Sequence, residues 1–517
     1  MKNSCNSMFR HQPTRIFASL IALLVWSGAR DHASAQAPAT PTAPISIEVN
    51  AAQVLHTVPE RYHGTNFVAL WNKTGDSPGT VKAFSQMGAR LLRFPGGVPC
   101  EYYDWEHPLA SGFTVITPER AYNMAKAGDA WMIFQTNAFN KKDGINKKSQ
   151  QPYSFDNSGK HAAGWVLNAK QAGMKVAFWE IGNEPEMDAS SEAKKSQDTV
   201  YKVYNAKFEE QGRAIKAVDP TAMLMGPAST NNYFWWTLKN LEKFMKAQGN
   251  KGGTGLVDAV SLHWYPEGSM GSWEAKRGTA QGWVASMKYI QSVIKQYDSR
   301  PLPVYLTEWN WGGGQNNTGA SKFSNALGCA DCVGMFLRSG VSGHTHFCLQ
   351  HIQNNWGVLA TGGEPKPENE PSPSYFAMAI ASQLFGSVLE TKNSADEKNV
   401  LSAYATSSAP GTVSVMLINK TEKEQNVKVT FTGIRPATGK QWTLLPANGK
   451  IDDTDVIYNG QKSPSPTAGK LPEPVPVQVQ ADGQYAQKVM PYSLTVVTFA
   501  PRPGVPAPIQ GLRPVTR

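Results

Sequence analysis

Phe178-Trp179-Glu180-Ile181-Gly182-Asn183-Glu184-Pro185 is the stretch on which the fold turns. Its apolar first half has the length of a buried strand and gives way at once to a polar Asn-Glu pair. Pro185 cannot continue a ladder and narrows the backbone choices of Glu184. Val304-Tyr305-Leu306-Thr307-Glu308-Trp309-Asn310 repeats the pattern, an apolar run ending on a glutamate. With these two, eight short apolar runs span 64–69, 89–94, 131–136, 175–181, 222–225, 259–264, 304–307 and 343–349, and amphipathic segments such as 162–172, 200–217 and 280–297 lie between them. Buried strands separated by helices predict parallel strands with right-handed crossovers, hence an α/β protein built as a (β/α)8 TIM barrel. A doubly wound open sheet would place a glycine-rich phosphate loop after its first strand. Gly64-Thr65-Asn66 is no such loop.

Beyond about residue 390 the helical pattern stops. Strand-like runs at 400–405, 412–418, 425–431, 441–445 and 493–499, with Pro and Gly between them, predict a C-terminal β-sandwich. The segment 45–58 before the barrel alternates weakly and offers the sandwich a first strand. The expected organisation is a signal peptide over 1–35, a linker and first sandwich strand over 36–58, the barrel over 59–388, the sandwich over 389–502 and a Pro-rich tail over 503–517. The signal peptide is read from Lys2, Arg10 and Arg15, an apolar run Ile16–Trp26 too short to span a bilayer, and Ala33-Ser34-Ala35 as the cleavage pattern. Export to the periplasm or medium, with cleavage after Ala35, is therefore expected. No later stretch has the length and apolarity of a membrane span.

The chain has 517 residues, 41% apolar and 17% charged, which permits a large core and excludes global disorder. A net charge of +10 is compatible with an acidic partner, but the basic residues are scattered with no long run, so nucleic acid is not an expected partner. Fifteen Trp and seventeen Tyr suit both barrel packing and the stacking of sugars. After signal removal Cys100, Cys329, Cys332 and Cys348 remain. Cys329-Ala330-Asp331-Cys332 has no second CxxC and no paired histidines, so zinc is not expected, and the four are read as disulfides or buried thiols. No motif asks for a cofactor or a metal.

In a barrel the C-terminal strand ends carry the active site. Glu184 then ends the fourth strand and Glu308 the seventh, facing each other across the mouth. Paired carboxylates about 5–5.5 Å apart hydrolyse a glycosidic bond with retention, and about 6.5–9.5 Å apart with inversion. Arg93, in Leu92-Arg93-Phe94-Pro95-Gly96-Gly97, ends the second strand and is placed to hold a carboxylate ionised. His263 and Tyr265, in Ser261-Leu262-His263-Trp264-Tyr265-Pro266, end the sixth and are within reach of Glu308. Asn137, Trp179, Trp309, Trp311, Gln350 and Trp356 fall near the expected mouth and are candidate sugar contacts.

Together these motifs resemble the clan A glycoside hydrolases. Trp179-Glu180-Ile181-Gly182-Asn183-Glu184 and Thr307-Glu308-Trp309 are close to the clan pattern, and the resemblance extends over roughly 45–500. It implies a retaining enzyme with Glu184 as acid/base, Glu308 as nucleophile and Asn183 on the sugar 2-hydroxyl. Leu92 to Gly97 followed by Tyr103-Asp104-Trp105 looks most like the α-L-arabinofuranosidase branch. The β-xylosidase, endo-glucanase and β-glucuronidase branches stay open. The competing readings are a carbohydrate-binding protein without catalysis and a polysaccharide lyase; the Asn-Glu and Thr-Glu pair fits hydrolysis better than elimination.

Overall fold

A computed structural model describes residues 43–69, 75–108, 116–139, 156–188, 197–230, 234–266, 272–312, 321–351, 356–362 and 366–501. The expected signal peptide and Pro-rich tail lie outside the described residues. Eight parallel strands close into a barrel in chain order. Labelled after a preceding strand β1 (Ile45–Val58), they are β2 (His63–Asn66), β3 (Leu91–Phe94), β4 (Trp131–Thr136), β5 (Val176–Ile181), β6 (Leu224–Ser229), β7 (Ala259–Trp264), β8 (Val304–Trp309) and β9 (Gly343–His346). Helices such as Gly159–Gln171, Gln197–Val218 and Phe323–Ser339 return the chain between strands. Ser158 caps the first of these by accepting the His161 backbone N–H. Phe323–Ser339 ends at Gly340, whose φ of 86° is the left-handed stop that glycine adopts without penalty.

Strand parity sets what fills the barrel. Leu91, Ile133, Phe178, Met225, Ala259 and Tyr305 form one apolar layer inside it. Two positions on, toward the C-terminal ends, the same face carries Arg93, Gln135 and Glu180, all fully buried. An apolar plug under a polar floor places charge only where a ligand enters. The predicted 222–225 strand runs on to Ser229, with a register shift between Pro227 and Ser229.

The second layer is an eleven-stranded sheet. β1 pairs antiparallel with Gly386–Asn393 and parallel with Gln425–Thr432, so residues before the barrel do complete the sandwich. Its core gathers Ile47, Val49, Leu401, Val415, Val427 and Phe499, among others. Lys420 on the sandwich and Asp331 on the barrel helix meet at 2.6 Å, both buried. All four described cysteines are buried free thiols, with no disulfide among them. No described helix has the length and apolarity of a membrane span.

Candidate active site

Arg93 organises the barrel mouth. Its Nη1 donates to Glu308 Oε1 at 2.7 Å and to Asn66 Oδ1 at 2.9 Å. Its Nε donates to Glu180 Oε2 at 2.6 Å, and its Nη2 to Asn183 Oδ1 at 3.0 Å. Burial works against its charge, but Glu180 and Glu308 outweigh burial and hold it protonated. Asn66 is locked in turn by donating to the carbonyls of Thr307, Thr345 and His346.

Nη2 of Arg93 also reaches His263 Nε2 at 3.3 Å, and His263 Nδ1 lies 2.9 Å from Glu184 Oε1. Guanidinium only donates, so Nε2 accepts and the proton sits on Nδ1, directed at Glu184. Burial lowers the His263 pKa to about 4, which keeps the ring neutral. His263 therefore serves Glu184 first, with Glu308 Oε2 farther away at 3.6 Å. Tyr265 donates to Glu308 Oε2 at 3.0 Å. Burial, then Glu308 and Glu184, push its phenol well above the usual range, so it remains a donor. Burial raises the Glu308 carboxyl; His263 and Arg93 pull it back and Glu184 adds to the rise.

Glu184 sits at φ 36°, left-handed for a non-glycine residue, and its N–H donates to Ala228 O at 3.0 Å. Such a backbone costs on the order of 1–3 kcal/mol and persists where neighbours hold it. Glu186 does part of that holding. Its carboxylate accepts from Tyr201, Asn240 and Ser229, which anchors the short helix Pro185–Asp188. Glu101 accepts the N–H groups of Ala138, Phe139 and Asn183, tying the loop after β4 to the Asn-Glu pair. Gly97 (φ 70°) passes so close that an added Cβ would lie 3.0 Å from Glu308 Oε1.

Glu184, His263 and Glu308 each present one oxygen or nitrogen, all within 4.8 Å of one another. A proton on Nδ1 and Arg93 on Glu308 favour proton transfer over metal ligation at that trio. A second such trio among the described residues, Asp104, Glu106 and His161, is a surface cluster in which Asp104 accepts from His161 and two backbone N–H groups.

The structure brings Arg93, Asn183, Glu184, His263, Tyr265 and Glu308 together. Of the expected sugar contacts it brings Trp356, half-buried against Tyr265 and Phe347. The other five are corrected. Trp179 is buried against Phe134 and Trp165, outside the barrel wall, because it has the opposite parity to Glu180. Trp309 is fully buried against Phe336, His344 and His346 for the same reason. Trp311 packs on Trp273 and over Gly328, and Gln350 is fully buried with its amide on Asn369. Asn137 is buried too, its side chain donating to Glu101 O at 3.3 Å. Glu180, Glu101 and Glu186 were missed. Only Glu180 left a signal, its two-residue offset from inward Phe178.

Comparisons with known proteins bear on the fold and the class. Residues 170–327, which hold Glu184, His263 and Glu308, match the model of "Glycosyl hydrolases family 39". No curated protein sequence matches the chain. Among solved structures, a bifunctional glucanase-xylanase from a metagenome library, CelM2, is 15% identical at a TM-score of 0.62, covering 89% of this chain and 99% of its own. The family 51 α-L-arabinofuranosidase of Thermotoga petrophila RKU-1 is 14% identical at 0.64, covering 88% and 99%. AbfB, a family 51 α-L-arabinofuranosidase from Bifidobacterium longum, is 14% identical at 0.65, covering 89% and 100%. The class is thereby defined: the protein is a glycoside hydrolase. More particularly, its barrel and sandwich resemble those of the clan A glycoside hydrolases.

Proposed function

We propose that the enzyme hydrolyses glycosides with retention, through a covalent glycosyl-enzyme, and that its substrate is an α-L-arabinofuranoside of a plant or microbial poly- or oligosaccharide. The observation that carries the retaining reading is the close approach of Glu184 and Glu308, with oxygens within 4.8 Å of each other. Glu308, ionised against Arg93 and Tyr265, attacks the anomeric carbon. Glu184, protonated on the oxygen that His263 does not engage, gives its proton to the leaving oxygen and then takes one from the incoming water. Asn183, its carbonyl on Arg93, presents its amide N–H groups to the sugar 2-hydroxyl. The arabinofuranoside assignment is supported by the sequence around Arg93 and by the fold shared with family 51 enzymes.

The test is hydrolysis across α-L-arabinofuranosides, β-xylosides, β-glucosides, β-glucuronides, xylan and β-glucan, with Glu308→Gln as control and the anomer of the first product followed by NMR. Arabinose released first as the α-anomer supports the proposal. Activity retained by Glu308→Gln, or an inverted first product, sinks the mechanism; cleavage of β-glucan alone replaces the substrate. Export is part of the proposal, and a mature N-terminus other than Gln36 would refute its cleavage site.

A further inference from the structure

The reaction above uses one of the two buried carboxylates on Arg93 and leaves the other without a task. Glu180 is fully buried inside the barrel, with Arg93 Nε 2.6 Å from its Oε2. Its Oε1 is buried and has no hydrogen-bond partner among the described residues. A buried, half-satisfied carboxylate is destabilising unless something requires it. By charge count Arg93 needs only one anion, and Glu308 contacts the same guanidinium at 2.7 Å, so Glu180 makes a second. Of the described titratable groups, Arg93 contacts Glu180, and His263 and Tyr204 feel its charge through space. Those facing Glu308 are Arg93 from β3, Glu184 after β5, His263 and Tyr265 at the end of β7, and Cys348 after β9.

We propose that Glu180 is a positioning residue that holds half of Arg93's charge, leaving Glu308 incompletely neutralised in the free enzyme and Arg93 balanced in the covalent intermediate. The inference rests on Glu308 being the nucleophile. Before attack, two buried anions share one guanidinium cation. In the attack a Glu308 oxygen pair forms the bond to the anomeric carbon. The bond from that carbon to the leaving oxygen breaks with its electron pair, and the Glu184 proton passes to that oxygen. Glu308 becomes a neutral ester, and Arg93 and Glu180 remain one to one. Water then bonds to the carbon, gives a proton to Glu184, and returns the ester electron pair to Glu308. A carboxylate with half a counter-ion is more basic, and a better nucleophile, than one fully paired. The like-charge strain is relieved as the new bond forms.

The experiment is the pH profile of kcat/KM for Glu180→Gln and Glu180→Asp beside the wild type. The glutamine keeps the shape and removes the charge, so Arg93 turns wholly to Glu308. The acid limb is expected to move down by about one pH unit, with the plateau on an unactivated glycoside about tenfold lower. The aspartate keeps the charge and is expected to keep the wild-type limb. An unmoved limb in Glu180→Gln, or an equal shift in Glu180→Asp, overturns the proposal. If Glu180→Gln does not fold, the aspartate variant decides: a wild-type limb supports the charge role and a shifted one overturns it. A wild type silent on every glycoside sinks the nucleophile reading instead, whereas an active wild type with an unmoved Gln-variant limb sinks only the role of Glu180.

Discussion

Tyr265→Phe gives the sharpest test of how Glu308 is held. The phenol donates to Glu308 Oε2 at 3.0 Å, and the other described donor near that oxygen, His263 Nδ1, stands off at 3.6 Å. Phenylalanine keeps the edge-on packing against Trp356 and opens no cavity. The change therefore removes one hydrogen bond to a buried carboxylate. Such a bond to a charged group contributes roughly 1.5–3 kcal/mol. At about 1.4 kcal/mol per pKa unit, its loss raises the Glu308 carboxyl by about one to two units. In the proposed mechanism Glu308 must be ionised to attack, so the acid limb of kcat/KM should rise by that amount while the alkaline limb, which that mechanism assigns to Glu184, stays. The assay is initial-rate kinetics from pH 3.5 to 8 on the best aryl glycoside. An acid limb that stays or falls in a folded, active variant refutes the assignment of Tyr265 as the donor to the nucleophile. The sign is opposite to that expected for Glu180→Gln, so the two variants also control for each other.

Trp356→Ala should raise KM with little change in melting temperature, since the ring is half-buried beside Tyr265. Trp179→Ala should destabilise by about 3–5 kcal/mol in urea unfolding and leave KM unchanged in whatever folds; the reverse pattern would restore Trp179 to the mouth. Acid should destabilise the fold through buried histidines. Burial lowers His63 to about 4 against its Leu384 hydrogen bond, His263 to about 4, and His346 to about 3, from an ordinary value of 6.5. Below about pH 6.5 the unfolded chain takes up protons that the folded one refuses, so unfolding free energy falls as pH drops from 6.5 toward 4 and is insensitive to these groups above 6.5. A flat urea midpoint between pH 7 and 4.5 would contradict this. Lys420→Met strips Asp331 of its buried cation and should cost about 3–5 kcal/mol, with Asp331→Leu in the same chain recovering much of it. A single variant as stable as wild type would show that the pair does not join barrel and sandwich.

What was legible follows from where signal is local. Apolar runs with polar ends mark a strand and its mouth in one reading, so Glu184, Glu308, Arg93 and His263 could be placed on strand ends. Which face a side chain takes depends on the register of that one strand. Trp179 and Glu180 are neighbours, so one must point out and one in. Reading Trp179 as a mouth residue ignored the parity set by Phe178 beneath it. His263 was expected on Glu308, and its hydrogen bond goes to Glu184 because Arg93 claims the other nitrogen. That outcome depends on three side chains from three strands. Glu101 lies in the 3-10 turn Val98–Tyr102, where no periodicity distinguishes a buried acid from a surface one.

The hydrogen-bond directions make Arg93 more than a support for the nucleophile. It donates to Glu308, so it stabilises the ionised form there. It also donates to His263 Nε2, which forces the Nδ1–H toward Glu184 Oε1. That bond occupies one oxygen of Glu184 and leaves the proton to the other, the one that must face the leaving group. One cation thus sets the ionisation of one carboxylate and the proton position of its partner, through a ring that burial keeps neutral. Replacing Arg93 by lysine preserves the charge but supplies a single ammonium in place of a fork spread over three nitrogens. The ammonium can hold Glu308 or His263 Nε2, but not both together with Glu180 and Asn183. In the proposed mechanism both glycosylation, which uses Glu184 as acid, and deglycosylation, which uses it as base, should then slow. A variant impaired in only one of those steps would show that the histidine takes its orientation from elsewhere.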